Sequence, residues 1–89
     1  MADKLDKEDL QFRDEIAKRL KEIRESTGKN QIDFAFDLGV DQQAVSRYET
    51  GKGSSIYVIR RYCKIAGIPL TEFFSSPLFT AFTKTDSMG

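Results

Sequence analysis

Eighty-nine residues, with 14 Lys and Arg against 14 Asp and Glu, make a neutral chain long enough for one small domain and too short for a second core. At 39% apolar and 31% charged residues the composition is that of a soluble globular chain. No run approaches the roughly 18 apolar residues of a membrane span, and the opening MADKLDKEDL lacks the apolar stretch of a secretory signal, so a cytoplasmic protein is expected. There is no histidine and only one cysteine, Cys63, which excludes an internal disulfide and a multi-cysteine zinc site. With the commonest general base missing as well, no metal, no cofactor and no enzymatic activity are expected.

Residues 1–9 alternate charges with almost no apolar content and read as a charged N-terminal extension, frayed or helical. From about Leu10 to Thr27, Phe12, Ile16, Leu20 and Ile23 recur at the period of an amphipathic helix, and Gly28 supplies its stop. Asn30 is placed to cap a second helix from about Gln31 to Leu38, with Asp33 near its electropositive start. Gly39–Asp41 turns the chain, and Asp41 caps a third helix from about Gln42 to Glu49. Thr50–Ser54, with two glycines and no apolar residue, is a loop. Ser54 or Ser55 then caps a fourth helix whose apolar stripe is Ile56, Ile59, Tyr62, Cys63 and Ala66, ending at Gly67. Pro69 presets the backbone for a short fifth helix from Leu70 to about Ser75 that carries Phe73 and Phe74.

Five helices with short connections predict an all-α bundle over residues 10–76. The tail, residues 77–89, holds Leu78, Phe79 and Phe82 and is too apolar for an indifferent end. It folds back on the fifth helix, adds a short strand or covers a dimer seam, while Lys84–Gly89 reads as loose.

Gln31–Thr50, QIDFAFDLGVDQQAVSRYET, is the most informative stretch. Ala35 is small enough for two short helices to cross closely, and Gly39 takes the positive φ that ends the first of them. Val40 and Val45 anchor the next helix from beneath, with Phe34, Leu38 and Tyr48 in the other apolar slots. That leaves Asp41, Gln42, Gln43, Ser46, Arg47 and Thr50 facing outward, and amides with a guanidinium on a helix seated from below suit base edges in a DNA major groove. Neutral net charge opposes this, because phosphate contacts want a basic footprint. Its distribution softens the objection: residues 1–15 hold six acids against three bases, and residues 16–89 eleven bases against eight acids. So modest an excess implies weak binding by a monomer.

Together, RLKEIRESTGKNQ, FAFDLGVDQQAVSRYETGK and IYVIRRYCKIAGIPLTEFF, from about Arg19 to Phe74, resemble the Cro/C1-type helix-turn-helix family, which includes the phage repressors and the xenobiotic-response-element regulators. The resemblance implies a five-helix, lambda-repressor-like DNA-binding domain followed by a short C-terminal tail. Carried over by position, it makes Gln42, Gln43, Ser46 and Arg47 the base readers. Gln31, with Asn30 beside it, corresponds to the amide that grips a phosphate at the start of the motif. The loop carrying Lys52, Ser54 and Ser55 corresponds to a second backbone clamp, although the proline usual before the fourth helix is absent and the loop is one residue shorter. Arg24 and Glu49 correspond to a partly buried ion pair that fixes the first helix to the end of the third. Cys63 replaces a family alanine and reads as inert core, Tyr48 and Tyr62 as core aromatics, and the Lys18–Arg24 basic run as a solvated face.

The expected function is sequence-specific transcriptional regulation: a repressor that binds double-stranded DNA at a palindromic operator as a homodimer. One monomer reads too few base pairs, and two reading helices about 34 Å apart supply the rest. Phe73, Phe74, Leu78, Phe79 and Phe82 exceed what so small a core hides and are the candidate dimer or partner surface. The alternative from another class is an antitoxin-like adaptor whose main role is to hold a protein partner.

Overall fold

The computed structural model describes residues 4–83, which form an all-α bundle with no strand among them. The elements are α1 (Lys7–Ser26), α2 (Gln31–Leu38), α3 (Gln42–Tyr48), α4 (Ile56–Ala66) and α5 (Leu70–Phe73), then a 3-10 turn at Pro77–Phe79 and a last short helix α6 (Thr80–Thr83). The polar end Lys84–Gly89 and the first three residues lie outside the described residues.

Each of α1 to α4 starts where a short polar side chain takes up an orphan backbone N–H, while α5 starts after Pro69 without a side-chain cap. Asp6 and Asp9 form a reciprocal capping box that begins α1 at Lys7, earlier than the apolar period alone indicates. Asn30 caps α2 by accepting from the Asp33 amide at 2.8 Å, and Asp41 caps α3 by accepting from the Ala44 amide at 2.8 Å. Of the two serines offered for α4 it is Ser55 that caps, through the Val58 amide at 3.3 Å. α2 ends at Gly39, whose φ of 77° lets the Val40 amide turn back to the Ala35 carbonyl at 3.0 Å.

The core is built from Leu20 and Ile23 of α1, Phe34 of α2, Val58, Ile59, Tyr62 and Cys63 of α4, Phe73 of α5 and Phe79. Two expectations are corrected here. Ile56 is not on the buried stripe of α4; it is 51% exposed, and Val58 lines the core in its stead. Phe73 and Phe79 do not form a surface for a dimer or a partner, since they are 0% and 1% exposed within this one chain. Ser76 is the reason. Its hydroxyl accepts from the Leu78 amide at 3.1 Å, and the chain turns there so that Phe79 lands against Phe12, Phe73 and Phe74, with ring centroids 6.0, 5.8 and 5.4 Å away. Phe82 follows it onto Phe12 at 5.1 Å. Of the three alternatives for the tail, folding back is the one observed, and Phe74, Leu78 and Phe82 remain half-buried at its edge.

Arg19 closes the same region. Its Nε and Nη2 donate to the Phe73 and Glu72 carbonyls, both at 2.8 Å, and its guanidinium lies over the Phe73 ring at 5.8 Å. The last carbonyls of α5 thus find donors on α1, so this member of the basic run is a clamp and not a solvated charge. Among the described residues no helix is long and apolar enough to cross a membrane.

Candidate nucleic-acid interface

α3 is seated by Ala44 and Val45, which are buried, while Ala35 beneath it on α2 keeps the crossing close. This leaves Gln42, Gln43 and Arg47 exposed on the outer side of α3 and Ser46 half-buried beside them. The Ser46 carbonyl is engaged by the Thr50 hydroxyl at 3.1 Å. Among the described residues Arg47 takes part in no ion pair, so its fork of donors is uncommitted.

The start of α2 lies alongside. Gln42 Nε2 donates to Gln31 Oε1 at 2.6 Å, and Gln31 Nε2 donates to Glu49 Oε1 at 3.2 Å. The residue expected to hold a phosphate and the first residue expected to read a base are therefore in direct contact. Asn30 is exposed beside Gln31; its Oδ1 is used by the α2 cap, leaving its amide hydrogens to donate. Across α3, Lys52 is exposed at the tip of the loop, where its own backbone amide donates to the Arg47 carbonyl at 2.8 Å. Ser54 is half-buried and Ser55 exposed, and the Ser55 oxygen is occupied by the α4 cap while its O–H is left to donate. Five groups able to meet an anion thus flank the three exposed side chains of α3.

Behind this surface sits the ion pair. Arg24 reaches both Glu49 oxygens, Nε to Oε2 at 2.9 Å and Nη2 to Oε1 at 3.0 Å, and its Nη1 donates to the Lys29 carbonyl at 2.9 Å. The Glu49 side chain is only 2% exposed. The hydrogen bond to Glu49 raises the Arg24 pKa, outweighing the opposing effect of burial, so the guanidinium stays charged. Sequence reading missed a third member, Tyr62, whose hydroxyl donates to Glu49 Oε2 at 2.9 Å. A signal for it existed: a tyrosine on a fully buried stripe must place its O–H somewhere. Burial first and the Glu49 carboxylate second push its pKa far up, so the hydroxyl stays a donor. Burial likewise raises the Cys63 thiol, as suits a core residue. Lys29 pairs with Asp37 along the outer side of α2.

Two short helices crossed on an alanine and a left-handed glycine, the second with its polar side chains outward, define a helix-turn-helix protein. In agreement, the helix-turn-helix family profile matches residues 20–73, and the chain belongs to that family, in its Cro/C1-type branch. Among curated proteins it is similar to the HTH-type transcriptional regulator PuuR of Escherichia coli (strain K12), 39% identical over 61 residues that make up 67% of this chain and 33% of that protein. The same figures hold for the HTH-type transcriptional regulator PuuR of Shigella flexneri. The chain thus spans about a third of the length of the curated relatives it matches.

Proposed function

We propose that this chain is a sequence-specific DNA-binding transcription regulator, a repressor that acts as a homodimer on a palindromic operator. Membership in the helix-turn-helix family and similarity to named transcriptional regulators support the DNA-binding role. The observation that carries the finer reading is the set of exposed polar side chains, Gln42, Gln43 and Arg47, on a helix whose inner side is seated by Ala44 and Val45. Glutamine suits adenine N6 and N7, and arginine suits guanine O6 and N7, each pairing worth about 1–3 kcal/mol of discrimination. Ser46 stands at the side of the same contact, and Asn30, Gln31, Lys52, Ser54 and Ser55 take phosphates on both flanks.

Dimerisation follows from the small footprint of one reading helix and the modest basic excess. With Phe73 and Phe79 consumed by the core, any such surface at this end rests on the half-buried Phe74, Leu78 and Phe82. The adaptor reading loses its main support for the same reason, since the apolar tail is occupied by its own chain.

Enrichment from a library of randomised duplexes tests the proposal. A palindromic site is expected, with Arg47→Ala losing preference at one symmetric position. Enrichment of no sequence would reject base reading.

A further inference from the structure

We infer that Tyr62, deep in the core, is a positioning residue for base reading: through Glu49 and Gln31 its hydroxyl sets the direction in which the Gln42 amide faces. The inference rests on the DNA-reading function proposed above and adds a residue to it. The chain of contacts is continuous: Tyr62 O–H to Glu49 Oε2 at 2.9 Å, Gln31 Nε2 to Glu49 Oε1 at 3.2 Å, and Gln42 Nε2 to Gln31 Oε1 at 2.6 Å.

Its polarity follows from the chemistry of the groups. A carboxylate can only accept. Gln31 must therefore turn its nitrogen toward Glu49 and its oxygen outward, and Gln42 must then turn its nitrogen toward that oxygen. What Gln42 has left is one N–H and its carbonyl oxygen, the donor–acceptor pair that matches adenine N7 and N6. A glutamine free to flip offers this pattern in either sense; one held at its nitrogen offers it in one.

Tyr62 enters because the plane of the Glu49 carboxylate must be held so that one of its oxygens faces Gln31. Arg24 Nε contacts both oxygens, at 2.9 and 3.2 Å, and its Nη2 holds Oε1 at 3.0 Å, so the guanidinium grips the carboxylate along one edge. The Tyr62 hydroxyl contacts Oε2 alone. Tyr62 is itself fully buried, 0% exposed, with its ring 4.6 Å from that of Phe34. The carboxylate is thus fixed by Arg24 and Tyr62 together, Tyr62 holding Oε2 from the core side while Oε1 serves Gln31 as well as Arg24.

Tyr62→Phe keeps the ring and removes only the hydroxyl. In the full chain, preference at the base pair facing Gln42, mapped by Gln42→Ala in a quantitative binding assay on single-substituted duplexes, is expected to fall by about three- to tenfold. Preference at the positions mapped to Gln43 and Arg47 is expected to stay as in the wild type. General destabilisation would lower all positions together, which would overturn the inference, as would an unchanged preference at the Gln42 position. A second measurement needs no DNA: the Gln31 and Gln42 side-chain amide resonances are expected to shift in Tyr62→Phe, and amides that stay in place overturn the relay. Should the wild type lack any sequence preference, the reading function itself falls and takes the inference with it, an outcome visible before any variant is compared.

Discussion

At the α2–α3 crossing, Arg24, Gln31, Glu49 and Tyr62 are held by hydrogen bonds whose donors and acceptors are all assigned, whereas around the tail Phe12, Phe73, Phe74 and Phe79 are held by ring contact. The first kind of contact has direction and the second has little. A directional network can aim an amide at a base edge, but it fails as a unit when one member leaves, because a buried charge loses its partner. An aromatic cluster fails in proportion to the volume removed. The chain places direction next to the surface proposed to read DNA and uses bulk where the task is to join the end of the bundle to α1.

The largest effect expected is from Arg24→Ala, which strands the Glu49 carboxylate in a buried site and costs about 3–5 kcal/mol. Urea unfolding of the variant measures it, and a loss below about 1 kcal/mol would erase the contrast between the two regions. Phe79→Ala comes next, at about 3 kcal/mol for a fully buried ring. Because that side is remote from α3 in its contacts, the sequence preference of the remaining folded protein is expected to be unchanged. A changed preference would show that the tail also aims the reading helix.

Gly39→Ala sharpens the comparison at the turn. A Cβ there meets nothing within 4 Å, so the cost is that of the left-handed backbone alone, about 1 kcal/mol by thermal melting. The smallest effect is from Lys52→Ala. It is expected to leave stability within about 0.5 kcal/mol and to reduce the slope of log affinity against log salt by about one, uniformly across sequences. A sequence-selective loss would move Lys52 from the phosphate set to the base readers.

What the sequence made legible was local. Asp41, Gly39, Asn30 and Gly67 announce helix ends within a few residues of themselves, and the apolar period of α1 needs only its own turns. The exposed outer side of α3 was legible for the same reason, since it is the complement of the Val45 that anchors the helix; Ala44, buried beside it, was not named. Relations across the fold were not. Arg19 reaches residues 53 and 54 positions away, and no spacing rule separates it from its solvated neighbours. Phe79 was misplaced because counting aromatics against a small core ignores the room that a turn at Ser76 creates between α1 and α5. Phe36 was left without a role, and it stands 85% exposed on α2. Contact between Gln31 and Gln42 could not be read either, as both had been assigned separately to the ligand.

The seam between Phe12 and Phe79 also has a consequence for biosynthesis. One ring comes from α1 and the other from the turn after α5, so the ring that covers Phe12 is synthesised only after all five helices. Until then Phe12 and Phe73 stand uncovered on an otherwise assembled bundle, and a nascent chain stalled short of residue 79 presents them to chaperones and proteases.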